Sequence, residues 1–340
     1  MKKVFIGIDF SKLKFDAAIY FSDTKELVSS SEFENEPVGY KQLIKWIRKS
    51  IDCDKSQILF CGEHTGYYSS NLSVFLHDSG YDLWLVSGLE IKLSQGIKRE
   101  KTDKIDACHL AQYACRYEDK VKLFIPVSST LEQIRDLLSY RERLVEFKKI
   151  LLTSAGELKR VRKTDSGEYI YQESLTQIKE LMIKIRNCEK LIERLIKQDT
   201  ELYTNYKLMN SVKGIGLVNA VLILVATANF TLFDDARKFG CYCGVVPFEY
   251  RSGTSVRGRT RVSHMANKKI KTALTQAAQN SVMYDPVLKE YYQRKMAEGK
   301  NRYLALNNVR NKLIHRIFAV VRDGQKYDLN YTHPLKQQAA

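Results

Sequence analysis

The spacing of the apolar residues changes part-way along this 340-residue chain, and that change limits its possible folds more than any other feature. Residues 3–30, 57–63 and 81–87 contain short apolar runs bounded by polar breaks, which is typical of strands. From Leu131 onward the apolar residues follow three-and-four spacing, which is typical of amphipathic helices. The chain must therefore combine an N-terminal sheet with long helices that follow it in sequence.

The first part of the chain predicts an α/β domain with a mixed sheet over residues 1–125. Residues 3–30 fit a three-stranded meander, and a helix that opens at Pro37 separates it from a strand that ends at Glu63. Another helix, another strand and a helix from about residue 102 follow. Strands that first form a meander and then alternate with helices indicate a mixed sheet covered by helices.

The second part predicts a helical arm and a further domain. Apolar residues between 131 and 195 predict two long helices within residues 126–206, joined by the polar stretch 163–174. We expect these helices to fold back as an antiparallel hairpin or coiled coil, used for dimerisation or as a spacer. Residues 207–340 then predict a mainly α C-terminal domain.

Positive charge is concentrated at the C-terminal end of the chain. Residues 207–340 contain 22 Lys and Arg against 8 Asp and Glu, a net charge of +14 out of +16 for the whole chain. This asymmetry is typical of a domain that binds a polyanion, and a solvated basic surface is the alternative. Nucleic acid is favoured over a membrane, because no lipidation motif or amphipathic anchor accompanies the charge.

Neither targeting signals nor cysteine spacing suggests another class of protein. Asp9 and Ser11 interrupt the apolar N-terminus, and no segment has 18 uninterrupted apolar residues, so we expect a cytoplasmic protein without a membrane partner. The seven cysteines include no CxxC pair, which argues against a zinc cluster or a disulfide framework. We interpret them as reduced thiols.

Four carboxylates are placed where they can meet above the predicted sheet: Asp9, Glu63, Asp103 and Asp106. The first two lie at strand ends, and the other two, spaced i and i+3, share one face at the start of a helix. Carboxylates packed together repel one another unless hard cations lie between them, which predicts a site for Mg²⁺ or Mn²⁺. Separately, each acid has an ordinary alternative as a helix-dipole partner, an ion-pair partner or a turn cap.

Three segments are candidates for nucleic-acid contact. Residues 98–104 are rich in lysine and arginine, residues 212–220 (VKGIGLVNA) are similar to a helix-hairpin-helix turn, and residues 251–271 carry seven Lys and Arg without an acid. Glycines in such a turn let backbone amides approach phosphate, although they equally suit a tight helix entry. The candidate contact residues are Lys98, Arg99, Lys101, Lys104, Gly214, Gly216, Arg251, Arg257, Arg259, Arg261, Lys268 and Lys269.

Ser252 lies within the most basic of these segments. Its hydroxyl is a candidate nucleophile toward phosphorus, with neighbouring guanidinium groups to neutralise the developing charge. A Ser-Gly pair is usually a turn, and Ser255 and Ser263 are competing candidates for the same role.

Taken in order, the segments IGIDFSKLKFDAAI, GEHTGYYSSNL, KTDKIDACHLA, VKGIGLVNAVLIL and GVVPFEYRSGTS resemble the DEDD insertion-sequence transposases, which are bridge-RNA-guided serine recombinases. The resemblance implies a RuvC-like, RNase H-like domain that holds the four carboxylates around Mg²⁺, and a C-terminal domain with Ser252 as nucleophile. It also implies a structured guide RNA, donor and target DNA, and a dimer or tetramer in which one protomer's carboxylate site meets another protomer's serine. The setting would be the prokaryotic cytoplasm, in association with the nucleoid.

Two other functions stay open from the sequence. A structure-selective nuclease would use metal-activated water, with Ser252 as a turn residue only. A non-enzymatic DNA- or RNA-binding module would use the basic segments and keep the carboxylates for structure.

Overall fold

The computed structural model describes residues 2–94, 102–161, 163–248, 251–252, 256–258 and 260–329, and it describes only the backbone of residues 251–252 and 256–257. The chain divides into two compact units, Met1–Pro126 and Val127–Ala340. The division of the second unit at residue 206 stays a prediction. No helix in the described part of the chain is both long and apolar enough to cross a bilayer.

The first unit is built on a mixed five-stranded sheet of order β3-β2-β1-β4-β5. Strands β1 to β3 form the predicted antiparallel meander, whereas β4 and β5 run parallel to β1. The strands are β1 (Val4–Phe10), β2 (Lys14–Phe21), β3 (Leu27–Glu34), β4 (Ile58–Glu63) and β5 (Asp82–Val86).

Helices cover both faces of this sheet, because alternate residues of the central strands are apolar on either side. Ile6 and Ile8 of β1 join one core, while Phe5 joins the other. The helices are α1 (Pro37–Ser50), α2 (Tyr67–Asp78), α3 (Gly88–Ser94) and α4 (Asp103–Arg116). Helices α1 and α2 pack on the first core and α3 and α4 on the second, so the unit has the α/β layering expected of an RNase H-like fold.

The second unit is almost entirely helical and begins with the predicted hairpin. Its helices are α5 (Ser129–Val161), α6 (Asp165–Gln198), α7 (Thr200–Ser211), α8 (Leu217–Thr227), α9 (Ala236–Tyr242), α10 (Lys268–Tyr284), α11 (Pro286–Ala297) and α12 (Arg302–Asp323). Two short strands, β6 (Arg251–Ser252) and β7 (Val256–Arg257), pair antiparallel. The mainly α prediction is confirmed.

The predicted linker between the two long helices was wrong in its extent. Residues 165–174 belong to α6, because Thr164 caps the helix by accepting a hydrogen bond from the backbone N–H of Gly167 at 3.2 Å. The polar composition of 163–174 reflects the exposed first turns of a helix at the hairpin tip. The predicted linker therefore overlaps the first ten residues of α6.

The base of the hairpin belongs to the main core of the second unit. Leu131, Ile134 and Leu138 of α5 are buried together with residues of α6, α8, α10 and α12 in one apolar cluster. Toward the tip, Phe147, Ile150 and other apolar side chains are exposed. The two long helices are thus anchored at one end only.

Candidate carboxylate centre and serine hairpin

The predicted carboxylates lie on elements that end at the same edge of the sheet. Asp9 is the penultimate residue of β1 and Glu63 is the last residue of β4, and these strands are parallel neighbours. Asp103 and Asp106 lie in the first turn of α4, whose start is fixed by Thr102 accepting a hydrogen bond from the Ile105 N–H at 3.3 Å. The carboxyl ends of β1 and β4 and the start of α4 therefore present acids to a common region.

Gly7 lets α4 approach the sheet closely. A β-carbon placed on Gly7 would lie 1.9 Å from the carbonyl oxygen of Ala107 and 2.5 Å from the amide nitrogen of Ala111. Both atoms belong to the backbone of α4, so any larger residue at position 7 forces the whole helix outward. This close contact positions the first turn of α4, and with it Asp103 and Asp106, beside the end of β1.

Asp9 has an unusual electrostatic environment. Burial, and after it the negative charges of Asp106, Asp103 and Glu63 in decreasing order, together raise the pKa of its carboxyl group from 3.8 to about 6. All three of the other predicted carboxylates thus act on Asp9. The residues that the sequence singled out are near enough for the charges of the other three to raise the pKa of Asp9.

A fifth acid, Asp16, was missed by the sequence reasoning. It lies in β2 directly opposite Asp9 in the antiparallel register, is only 7% exposed, and adds to the rise in the Asp9 pKa. Burial also raises its own pKa, followed by Glu32 and Asp103. The available signal was an acid inside the otherwise apolar strand KFDAAIYF, although its pairing with Asp9 required the strand register.

The donor chemistry of this centre suits a hard divalent cation, because its ligands are carboxylate oxygens with surplus negative charge. Glu63 reaches into space that a side chain at Gly88 would occupy, since a β-carbon there would lie 2.0 Å from Glu63 Oε1. No three His, Cys, Asp or Glu side chains of the described residues are grouped closely enough to hold one ion. The carboxylates therefore suit a divalent cation by their chemistry and negative charge. The described side chains are not already arranged around one ion position.

The basic residues around the centre are only partly described. Lys98, Arg99 and Lys101 lie outside the described residues, as does Arg259 of the C-terminal segment. Lys104 is exposed on α4, and its charge lowers the pKa of Asp16 against the larger effects that raise it. Lys104, which belongs to the predicted basic segment 98–104, thus places a positive charge close to Asp16.

Ser252 lies in a segment of the second unit whose described residues pair antiparallel. The Asn267 N–H donates to the Tyr242 carbonyl oxygen at 2.9 Å, and Phe248 and Arg261 exchange backbone hydrogen bonds. Between the latter two in sequence, Ser252 pairs with Val256 in the β6–β7 ladder, as Arg251 pairs with Arg257. We call residues 242–267 the serine hairpin, after these pairings of its described residues.

The other residues predicted to contact nucleic acid, and the alternative nucleophile Ser263, differ in exposure and in hydrogen bonding. Gly214 packs against α10, where the Ser281 hydroxyl donates to the Lys213 carbonyl oxygen at 2.6 Å, whereas Gly216 caps α8 with open space beside it. Lys269 forms an ion pair with Glu142 at 2.6 Å. Ser263 accepts a hydrogen bond from the Met265 N–H at 3.1 Å. Arg261 and Lys268 are exposed.

Comparisons with known proteins match most of the chain. A family described as "Transposase IS116/IS110/IS902 family" matches residues 206–293, and a DEDD family of IS110 type, described as "Transposase", matches residues 6–149. The first match covers Ser252 and the second covers all four predicted carboxylates.

Individual relatives extend this similarity. The "Pilin gene-inverting protein" of Moraxella bovis is 27% identical over 334 residues, which cover 96% of this chain and 98% of the relative. The protein of the same name from Moraxella lacunata is 26% identical over the same shares. The "Insertion element IS110 uncharacterized 43.6 kDa protein" of Streptomyces coelicolor is 30% identical over 144 residues, 42% of this chain and 35% of that protein.

Proposed function

Since this chain belongs to the IS110 family of DEDD transposases and is a DNA transposase or recombinase, we propose that it exchanges DNA strands through the carboxylate centre and Ser252 together. The observation that carries the proposal is the half-buried Asp9, whose pKa is raised to about 6 amid the other acids. A catalytic centre that works on phosphodiesters with a metal ion needs such a concentration of carboxylates.

Asp9, Glu63, Asp103 and Asp106 would hold Mg²⁺ or Mn²⁺. The bound ion supplies Lewis-acid polarisation of a phosphoryl oxygen. The protein orients the ligands: Gly7 fixes the approach of α4, and Gly88 leaves room for the Glu63 carboxylate. Asp16 adds negative charge beside Asp9 from the neighbouring strand and so strengthens the attraction for a cation.

Ser252 would act as the nucleophile. Its Oγ attacks phosphorus while the P–O3′ bond breaks, so that the serine proton is released and the departing 3′ oxygen takes one up. The resulting 5′-phosphoserine keeps the phosphodiester energy, and the reverse attack by a 3′ hydroxyl reseals a strand without ATP. The basic sequence around the serine supports this role, because arginine neutralises charge that develops on phosphate oxygens.

The test is a search for the covalent adduct. Ser252→Ala should abolish a protein–DNA band on denaturing gels in the presence of Mg²⁺, while Ser263→Ala and Ser255→Ala keep it. Persistence of the adduct in Ser252→Ala would assign the nucleophile elsewhere. Cleavage that leaves free 5′-phosphate ends would favour a nuclease using activated water.

Guidance by a structured RNA and assembly of several protomers are further parts of the proposal. The net charge of +14 in residues 207–340 supports binding of both DNA and RNA. If RNA selects the sites, purified protein should cleave cognate DNA only with a transcript of the DNA flanking its gene. Equal cleavage without that transcript would remove RNA guidance and leave the strand chemistry intact.

A second outcome of the same chemistry is inversion of a DNA segment. Two relatives that match nearly the whole chain are named pilin gene-inverting proteins, and strand exchange between inverted sites within one molecule produces inversion. A plasmid carrying two copies of the recombination site in inverted orientation would show it as a changed restriction pattern. Excision or insertion products alone would favour transposition.

A further inference from the structure

Two arginines of α12 have opposite surroundings. Arg316 donates from Nη1 to Asp285 Oδ2 at 2.6 Å, and Asp285 is fully buried. Arg310, less than two turns earlier, is only 8% exposed, and its Nη1 donates to the neutral Asn307 Oδ1 at 3.0 Å. Its buried Nε has no hydrogen-bond partner among the described residues. Arg310 is thus a buried cation that the described part of the chain pairs with a neutral side chain and not with a carboxylate.

A second cation, Lys271 of α10, adds to this charge. Its Nζ would lie 3.8 Å from a β-carbon on Gly244, which places it beneath the turn that follows α9. Burial and then the charge of Arg310 lower the pKa of Lys271, and burial lowers the pKa of Arg310. Within the described part of the chain, no carboxylate forms an ion pair with either residue.

Such an arrangement costs stability in the free protein. A buried charge without a partner loses its hydration, and two like charges repel, so neither contact favours folding. A purely structural position would favour an apolar residue, because Leu306, Leu313 and Ile317 on the same side of α12 are all buried. An anion bound by both cations would accept from the unpaired Arg310 Nε and remove the repulsion between the two charges.

The two cations lie at the foot of the serine hairpin. Asn307, the neighbour of Arg310, donates from Nδ2 to the Val245 carbonyl oxygen at 2.8 Å, and Val245 begins the segment that leads to Ser252. Ser252 lies seven positions after Val245 in the sequence, a span of at most about 25 Å for an extended chain. A nucleic-acid strand that reaches Ser252 can therefore also pass the cations.

We propose that Arg310 and Lys271 form a phosphate pocket that grips one phosphodiester of the DNA strand bound along the serine hairpin. Arginine offers a planar fork of donors for two phosphate oxygens, and lysine supplies a point charge to the same group. The pocket holds DNA in place and takes no part in bond breaking. Arg310 lies beyond both family matches, which end at residues 149 and 293. The inference rests on the proposed function only in naming DNA as the ligand.

The first test measures how salt changes the affinity for a short duplex DNA of fixed sequence. Loss of one phosphate contact reduces the slope of log affinity against log salt by about 0.9. Arg310→Gln and Lys271→Met should each show this reduction, and the double variant should show little more, because both residues serve one phosphate. Lys289→Met, which removes an exposed lysine of α11, is the matched control and should keep the wild-type slope.

The second test uses thermal unfolding without nucleic acid. Lys271→Met should raise the melting temperature in chloride buffer, because it removes a repelling charge. Inorganic phosphate at matched ionic strength should raise the melting temperature of wild type and of Lys289→Met, but much less that of Lys271→Met or Arg310→Lys. This readout stays usable if Arg310→Gln folds poorly.

Three results would overturn the pocket. The first is an unchanged salt slope in both single variants, and the second is a phosphate-induced shift that survives in Lys271→Met. The third is a Glu249→Gln variant that reproduces Arg310→Gln, which would show that this acid, outside the described residues, is the partner of Arg310. Weakened binding of RNA but not of DNA would reject DNA as the ligand. Absence of the Ser252 adduct would count against the strand-exchange mechanism. It would not affect the test of the phosphate pocket, which depends only on the salt slopes and the melting temperatures.

Discussion

The two units concentrate opposite charges in comparable ways. In the first unit, Asp9 is half-buried among four other acids, and in the second, Arg310 is buried beside Lys271 without a carboxylate partner among the described residues. Neither group is arranged as a folding contact would be, since each leaves like charges close together. The difference in sign agrees with the two ligands that we propose: cations at the acids and phosphate at the bases.

The pair Asp285–Arg316 is an example, in the second unit, of a buried charge that is paired with an opposite charge and so contributes to folding. Asp285 also accepts hydrogen bonds from the Leu288 N–H at 3.0 Å and the Tyr327 hydroxyl at 3.2 Å. Asp285→Ala should therefore destabilise the protein by about 3–5 kcal/mol, as measured by denaturant unfolding. Asp323→Ala, which removes an exposed acid at the end of α12, the helix of Arg316, should leave stability unchanged. A small effect of Asp285→Ala would show that the carboxylate partner of Arg316 does little for stability. Arg316 could then no longer be distinguished from Arg310 as the structural arginine.

Asp9→Asn tests the functional side of the contrast. It removes one charged member of the carboxylate centre. If that centre holds Mg²⁺ as we propose, Mg²⁺-dependent DNA cleavage should fall at least about 100-fold, equivalent to about 3 kcal/mol, while DNA binding persists. Asp52→Asn, an exposed acid of the same unit, should cleave normally. Wild-type cleavage by Asp9→Asn would show that the acids have no catalytic role.

Gly7→Ala tests whether the acids depend on the close approach of α4. The added methyl group would meet the backbone of Ala107 and Ala111, so we expect a loss of about 1–3 kcal/mol in unfolding free energy together with weaker cleavage. Gly156→Ala has open space around it on α5 and should stabilise its helix by up to about 1 kcal/mol. Unchanged stability and cleavage in Gly7→Ala would mean that α4 can shift freely.

The pH dependence of stability gives the smallest expected effect. With a folded pKa of about 6 against 3.8, Asp9 binds a proton in the folded state that the unfolded state lacks. Its contribution to stability therefore falls as pH rises through that window and stays low above it. In EDTA above about pH 7, Asp9→Asn should be more stable than wild type by on the order of 1 kcal/mol after solvent screening. A difference that persists at about pH 4 would contradict this cause.

Much of the fold was predictable from local patterns. The meander, the helix from Pro37, the strand ending at Glu63 and the helix opening at Asp103 all follow from apolar spacing and start signals. The boundary near Thr164 was mispredicted because polar residues in an exposed helical turn look like a loop. The cap at Thr164 was the available correction.

The electrostatic neighbours were less predictable, because they depend on contacts distant in sequence. Four acids could be proposed from their placement, but Asp16 requires the β1–β2 register. Arg310 had a local signal, since it interrupts the buried positions of α12 at Leu306, Leu313 and Ile317. Its pairing with Lys271 depends on how α10 packs against α12, which no local pattern specifies.

The position of the hairpin base within the second core has a consequence for synthesis. Leu131, Ile134 and Leu138 are translated early, yet they are buried with Leu313 and Ile317 near the end of the chain. The first unit can complete its sheet as soon as residue 126 leaves the ribosome, whereas the second must wait for about 190 further residues. During that interval the base of α5 lacks its partners in α12, so the unit that contains the carboxylate centre folds well before the unit that contains Ser252.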